Sequence, residues 1–260
     1  GLPAWRLKYP SIRIRSNCEI FLNALDKYYK ELFKILYPLQ STQGGPVIMM
    51  QIENEYGSFG NNKTYLKNLK NMMIKYGCEV PLFTSDGAWR EVLEAGTILD
   101  EDILPTVNFG SRTKEQFGYF LEFLKQNNIK KPLMCMEFWL GWFSNWGDEF
   151  KRRDADDAAK ELKEILNMGH VNLYMYHGGT NFRFYNGCCY RDEISPQTTN
   201  YDYDALLSEH GEFTNKYYKF QEVISKYTNI PKVKFSTVIN KVSYNNIKLK
   251  NKVSLFSTLD

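Results

Sequence analysis

The sequence lacks several features that mark whole classes of protein. It has no apolar run near the roughly 18 to 20 residues that a membrane helix needs, so no membrane span is expected. It has no low-complexity tract and no internal repeat. Its 33 basic and 30 acidic residues are spread without a dominant block, which argues against a nucleic-acid partner or a polybasic membrane anchor. We therefore expect a folded globular chain.

Motifs of several other chemistries are also missing. There is no phosphate-binding GxxxxGK and no GxSxG elbow. The five cysteines form no CxxC pair, and the three histidines, His170, His177 and His210, lack the spacing of metal ligands. We expect no cofactor and no metal, and we interpret His177, beside a glycine pair, as a supporting pocket residue.

Aromatic residues are plentiful, at 15% of the 260 residues. Most of them are expected to fill the core, which a chain of this length can build, and some could form a platform for sugar rings. The hydrophobic share of 43% and the charged share of 24% are those of an ordinary globular protein.

Short apolar runs alternate with helical patterns as far as about residue 228. This rhythm predicts an α/β fold with a parallel sheet. The first predicted helix starts at a Ser16-x-x-Glu19 capping box and stops at Pro38, and later helices cover 64–76, 117–124, a segment from Asp154, and 217–224. Predicted strands cover 47–52, 82–84, 107–109, 133–136 and 171–176.

From residue 231 the pattern changes to Lys- and Asn-rich alternation, KVSYNNIKLKNKVSLF, which predicts a strand or two of a separate β-domain. We thus divide the chain into a catalytic part, 1–230, and a linker with the start of a truncated β-domain, 231–260. The chain begins with Gly1 and not with methionine, so a preceding segment that includes a signal peptide is expected. The sequon at Asn62 agrees weakly with a secretory route.

The segment GGPVIMMQIENEYG, residues 44–57, carries an apolar strand straight into acidic residues. Chemistry in parallel α/β folds takes place at the carboxyl ends of the strands. Glu53 and Glu55 would lie on the same side of an extended strand. Periodicity alone therefore does not decide which of them is functional.

A second segment, PLMCMEFWLGWFSNWG at 132–147, ends another apolar strand in Glu137 and follows it with tryptophans, Trp142 among them. Glycoside hydrolysis commonly needs two carboxyl groups on either side of the scissile bond. Two strand-end glutamates on one face of a sheet can meet that demand.

Two further segments complete the pattern. VNLYMYHGGTNF, residues 171–182, ends in a glycine pair, and TTNYDYDALLSEHGE, residues 198–212, is rich in tyrosine and aspartate. Glycine lets backbone approach a ligand, but it also simply makes turns. Either segment alone could be a solvated turn.

Together, and in this order, the four segments resemble glycoside hydrolase family 35, which includes lysosomal, plant and microbial β-galactosidases. The resemblance, to which the opening GLPAW adds, covers about residues 1–228. It implies a (β/α)8 TIM barrel, of which this chain would hold about strands 4 to 8 with their helices, since five parallel strands do not close a barrel of eight.

The resemblance also implies residue roles in a retaining, exo-acting β-galactosidase. Glu55 would be the proton donor and Glu137 the nucleophile, and Tyr174 would hydrogen-bond Glu137. The implied substrate is a terminal β-galactoside glycan, and the implied location is lysosomal or secreted. The residues implied to bind galactose are Asn54, Trp142, Tyr174, Tyr201 and Tyr203.

Two departures from the family leave alternatives open. The Tyr and the Cys-Ala-Glu stretch that the family's first three strands supply are not in this sequence, and Phe59 to Thr64 contains no cysteine for the disulfide of lysosomal members. The alternatives are a catalytically silent, truncated galactose-binding protein and an exo-β-glucosaminidase on the same scaffold. Oligomeric state is left open.

Overall fold

The computed structural model describes residues 2–182, 185–190, 192–231 and 241–259. The chain separates into two compact units, Gly1–Thr228 and Asn229–Asp260. In the second unit, residues 241–259 contain no strand, only a short 3-10 helix at Leu255–Thr258. The strands predicted within 241–256 are therefore wrong, because Tyr244 and Ile247 are 81% and 78% exposed and a strand needs a partner. Residues 232–240 lie outside the described residues, and the assignment of 231–260 to a separate domain stays a prediction.

The first unit is built on five parallel strands in the order β1-β2-β3-β4-β5, curled into half of a barrel. This is the partial TIM-barrel α/β fold that was predicted. The strands are β1 (Met50–Gln51), β2 (Leu82–Gly87), β3 (Ile103–Phe109), β4 (Met134–Trp139) and β5 (His170–Tyr174). A separate antiparallel hairpin of β6 (Cys188–Tyr190) and β7 (Ile194–Pro196) was not predicted.

Strand β1 is shorter than the predicted 47–52. The backbone of Val47 bonds to a neighbouring turn instead of the sheet: its N–H donates to Leu39 O at 2.9 Å, and its carbonyl accepts from Ser41 N at 2.7 Å. Strands β2 and β3 are longer than predicted. Strand β2 continues through the buried polar residues Ser85 and Asp86, and β3 begins earlier, at Ile103, and includes the buried Thr106.

The described residues form six α-helices, which pack outside the sheet. The N-cap of the first helix is Cys18 and not the predicted Ser16. The Ser16 hydroxyl instead accepts a hydrogen bond from the N–H of Cys18 itself, at 3.2 Å, before the helix begins. Asp154 caps the fifth helix as predicted. The helices are α1 (Glu19–Leu36), α2 (Lys63–Lys75), α3 (Arg90–Gly96), α4 (Thr113–Gln126), α5 (Ala155–Met168) and α6 (Asn215–Ile224), of which α3 was not predicted. No helix among the described residues is long and apolar enough to cross a membrane.

Two apolar clusters hold the half barrel together. One packs α1 and α2 against β1 and β2 around Leu66 and Ile52. The other packs α4, α5 and α6 against β3 and β4 around Phe120 and Phe138. Leu66, Phe120 and Phe138 have no exposed surface, so both clusters fix the strands whose carboxyl ends carry the polar residues.

Candidate active site

Glu55 lies at the carboxyl end of β1, on a turn that leaves the strand abruptly. Glu53 and Glu55 both have left-handed backbone conformations, with φ of 61° and 47°, which non-glycine residues rarely adopt. The N–H of Glu55 donates to Ser85 O at 3.2 Å, which ties the turn to β2. Its carboxylate accepts one hydrogen bond, from Asn108 Nδ2 at 3.0 Å.

Glu53, two residues earlier, has a different environment. Arg15 donates to both of its oxygens, at 3.1 and 3.0 Å, and the Tyr65 hydroxyl donates to it at 2.7 Å. Its side chain is only 11% exposed. The turn thus breaks the alternation assumed from sequence, and Glu53 is a partner in a polar network while Glu55 keeps most of its acceptor capacity.

Glu137 lies near the end of β4. One carboxylate oxygen accepts from the Trp139 indole at 3.0 Å, and a β-bulge in β4 places Glu137 opposite Asn108 of β3. Burial raises the pKa of Glu137, the Trp139 hydrogen bond offsets part of this, and the charge of Glu55 raises the pKa further. The two carboxylates therefore lie close enough to interact.

Asn108, which was not among the predicted site residues, joins these two glutamates. Its side-chain oxygen accepts from the Ser85 hydroxyl at 2.5 Å and from Glu137 N at 3.1 Å, while its amide donates to Glu55. Asn108 is 1% exposed. A buried asparagine with both ends bonded fixes the spacing between β1 and β4. The one available signal was a polar residue within an apolar strand.

Four residues predicted to bind galactose, Trp142, Tyr174, Tyr201 and Tyr203, form one aromatic cluster on the β5 side. Tyr203 stacks on Tyr201 with ring centroids 5.4 Å apart and meets Tyr174 edge-on at 5.3 Å. Trp142 lies 6.1 Å from Tyr203. The Tyr174 hydroxyl pairs with the Tyr201 hydroxyl at 3.2 Å, and the predicted hydrogen bond from Tyr174 to Glu137 stays a prediction.

The charges of the two glutamates act on the tyrosine hydroxyls of this cluster. Burial is the main reason that the pKa values of Tyr201 and Tyr203 are raised, and the negative charge of Glu137 raises both further. The charge of Glu55 also acts on Tyr203. Both phenols are therefore neutral donors near the two glutamates.

Asn54 lies on the same turn as Glu55 but is exposed. Its side-chain oxygen accepts from Gln51 at 3.3 Å, and its carbonyl accepts from Arg15 at 2.7 Å. Its role in binding a sugar hydroxyl stays a prediction. His177 also stays a supporting residue by prediction, with Nε2 3.3 Å from Glu209 O.

Asp86, at the end of β2, is a second buried polar residue that the sequence did not single out. It is 1% exposed, and it accepts from Gly57 N at 2.7 Å, just after the Glu55 turn. Burial raises its pKa to about 7, the Gly57 bond and Lys63 oppose the shift, and Glu55 and Glu53 add to it. A Cβ at Gly96 would stand 2.1 Å from Asp86 Oδ2. The carboxyl group therefore packs directly against the backbone of Gly96, where a larger residue would not fit.

The described residues include no group of three His, Cys, Asp or Glu side chains that could hold a metal ion. Cys18, Cys78, Cys135, Cys188 and Cys189 are all free thiols.

The chain is similar to a set of known glycosidases. Residues 1–227 match the family model described as Glycosyl hydrolases family 35. The chain is 36% identical to beta-galactosidase-1-like protein 3 of Mus musculus, over 100% of this chain and 39% of that protein. It is 37% identical to beta-galactosidase 17 of Arabidopsis thaliana, over 98% and 38%, and 37% identical to a beta-galactosidase of Xanthomonas manihotis, over 100% and 43%. The chain thus spans about two fifths of the length of these relatives.

A solved structure supports the fold alone. The GH2 beta-galacturonidase of Eisenbergiella tayi, bound to galacturonate, superposes with a TM-score of 0.52 at 11% identity, over 82% of this chain and 38% of that one.

Proposed function

The chain belongs to glycoside hydrolase family 35, and from this premise we propose that the protein of which it is part is a retaining, exo-acting β-galactosidase. The observation that carries the proposal is the pair of strand-end glutamates, Glu55 and Glu137, which are both bonded to the buried Asn108: Glu55 accepts through its carboxylate, and Glu137 donates through its backbone N–H. The names of the three relatives with which it was compared favour galactose as the glycone.

In the first step, Glu137 attacks the anomeric carbon of a terminal β-galactoside. The bond from that carbon to the leaving oxygen breaks, and Glu55 gives its proton to this oxygen. The products are an alcohol or shortened glycan and a galactosyl ester of Glu137. The Trp139 indole and the Asn108 network hold Glu137 in place for this attack.

In the second step, the roles of Glu55 reverse. Glu137 is now esterified and carries no charge, so ionised Glu55 can take a proton from water. The water oxygen bonds to the anomeric carbon, the ester bond breaks, and galactose leaves with its β configuration retained.

We assign the glycone to the aromatic cluster on the β5 side. Trp142 and Tyr203 offer ring surface for the apolar face of galactose, and Tyr174 and Tyr201 offer hydroxyl donors. Asn54 would hold the 2-hydroxyl. We also propose a lysosomal or secreted location; the Asn62 sequon supports it, since the Asn62 side chain is partly exposed.

A mechanism-based inhibitor tests the proposal. Incubation of the full-length protein with a 2-deoxy-2-fluoro-β-galactoside that carries a good leaving group should add one fluorogalactosyl group, and peptide mass spectrometry should locate it on Glu137. The matched control is Glu149→Gln, an exposed glutamate on the following loop, which should label normally.

Three other results of this labelling experiment and of substrate assays would contradict the proposal. Label on a different carboxylate would overturn the assignment of Glu137. Absence of label together with binding of galactose would identify a silent galactose-binding protein. Turnover of β-glucosaminides in preference to β-galactosides would identify the sister specificity.

A further inference from the structure

A cavity of about 320 Å³ opens at the carboxyl ends of β2, β3 and β4. This volume is at the lower end of the range typical of small-ligand sites, roughly 300 to 1,000 Å³. The tyrosines of the aromatic cluster do not line it. Its walls include Trp89, Asn108, Gly110, Arg112, Trp139 and Trp142.

Two wall residues connect this cavity directly to the catalytic carboxylates. Asn108 donates to Glu55 at 3.0 Å, and the Trp139 indole donates to Glu137 at 3.0 Å. Trp142, which meets Trp139 edge-on at 5.7 Å, separates the cavity from Tyr203. The cavity thus adjoins both glutamates through Asn108 and Trp139, and it shares only Trp142 with the described residues of the aromatic cluster.

Trp89 presents a fixed aromatic surface to the cavity. It follows directly after β2 and is 48% exposed, although it is a large apolar side chain. Its six-membered ring packs against Gly87: a Cβ at that glycine would stand 2.5 Å from two of the ring carbons. The bare backbone of Gly87 therefore sets the position of the indole, while much of the ring stays open to solvent.

The lining has the chemistry of a sugar-binding subsite. Indole rings stack on the apolar face of a pyranose or on an aryl ring. The exposed Arg112, whose only ion pair among the described residues is with Glu115 at 3.3 Å, can donate hydrogen bonds to hydroxyl groups. No carboxylate lines this cavity.

We propose that this cavity is the subsite for the leaving group, where the pyranose or aryl ring attached to galactose stacks on Trp89. This inference rests on the proposed function and extends it. The ring occupies the cavity until Glu55 protonates the departing oxygen, and the galactosyl group stays with Glu137.

Two substrates separate this subsite from the galactose site. β-Galactosyl fluoride has a leaving group too small to occupy the cavity, whereas a galactose-containing disaccharide fills it. In the full-length protein, Trp89→Ala should lower kcat/KM for the disaccharide about tenfold more than for the fluoride, since an aromatic stacking contact is worth about one factor of ten.

A second substitution tests the positioning of the ring. Gly87→Ala would displace the Trp89 indole. Like Trp89→Ala, it should lower kcat/KM more for the disaccharide than for galactosyl fluoride. Trp89→Phe, which keeps a ring, should shift the ratio of the two kcat/KM values less. The matched control is Trp5→Ala, another exposed tryptophan, at 56%, which does not line the cavity.

The outcomes distinguish the two proposals. If Trp89→Ala lowers kcat/KM equally for the disaccharide and for galactosyl fluoride, so that the ratio of the two values is unchanged, the leaving-group subsite is overturned while the proposed hydrolase stands. If the unsubstituted protein does not hydrolyse galactosyl fluoride, the proposed function itself fails and the subsite fails with it. A ratio shift in Trp5→Ala equal to that in Trp89→Ala would also overturn the assignment.

Discussion

The ends of β1 and β4 each present a glutamate to the same site, but they do so in different ways. At β1 the chain turns through left-handed conformations at Glu53 and Glu55, among polar partners. At β4 Glu137 belongs to the strand itself, half-buried beside an indole. Under the proposed roles, these two environments would prepare one carboxylate for proton transfer and the other for attack.

The largest effect is expected at β4. Glu137→Gln removes the attacking oxygen and should lower kcat at least about 10⁴-fold on every galactoside, including activated ones. Steady-state kinetics of the full-length protein with aryl galactosides and galactosyl fluoride would measure this. Substantial turnover by this variant would remove the distinction between the two strand ends.

Glu55→Gln should have a smaller effect that depends on the substrate. Loss of the general acid should lower kcat/KM by about 10² to 10⁴-fold for glycans with poor leaving groups, and much less for galactosyl fluoride, whose leaving group needs little protonation. Added azide should restore turnover by replacing base-activated water. A uniform loss on both substrates would contradict the role of proton donor.

Asn108→Ala should cost about 10 to 100-fold in kcat, because it removes the hydrogen bonds that hold both glutamates. Asn108→Asp, with a similar shape, should not restore activity, since a carboxylate cannot donate to Glu55. Melting temperatures of both variants would separate misfolding from mispositioning. Full activity of the alanine variant would show that the spacing between the strand ends is set elsewhere.

The pH profile should respond in opposite directions to two neighbours of Glu137. Glu55 raises the pKa of Glu137 and the Trp139 hydrogen bond lowers it. Glu137 must be ionised to attack, so Trp139→Phe should move the acidic limb of the activity profile to higher pH, and Glu55→Gln should move it to lower pH. Activity on galactosyl fluoride between pH 3 and 7 would show both shifts; shifts of the same sign would refute the assignment.

Glu53→Gln is expected to affect stability more than turnover. It weakens a bidentate pair with Arg15 at 3.1 and 3.0 Å, which should lower the free energy of unfolding by about 1 to 3 kcal/mol. Its effect on kcat should be far smaller than that of Glu55→Gln. Denaturant unfolding and kinetics on one preparation would compare the two glutamates of the turn directly.

Sequence patterns predicted the architecture well where apolar periodicity was strong. Helices α2, α4, α5 and α6 and the presence of five strands in a parallel sheet followed from it, whereas the barrel order of the strands was implied by the family resemblance. The patterns failed where hydrogen bonding decided the outcome. The backbone of Val47 bonds to a turn, Cys18 takes the capping position expected for Ser16, and the apolar residues of 241–256 find no partner strand among the described residues.

For the site, sequence reasoning located both strand-end glutamates but not the residues that position them. Asp86 follows Thr84 and Ser85 in β2, so an apolar-run criterion ends that strand before it reaches the carboxyl. Asn108 lay inside the predicted strand 107–109, but the apolar pattern says nothing about which groups its side chain bonds. The choice between Glu53 and Glu55 depended on the backbone turn between them, which a period of two cannot anticipate.

The buried carboxyl of Asp86 makes folding of the half barrel a proton-uptake reaction. Its pKa is about 7 in the folded chain against an ordinary aspartate value of 3.8, so the folded state holds a proton that the unfolded state releases across that interval. By linkage, the stabilisation is complete below the ordinary value and is lost as the pH rises through about 7. Through Asp86, a residue outside the reaction itself, the free energy of unfolding of the half barrel should therefore be higher at mildly acidic pH than at neutral pH.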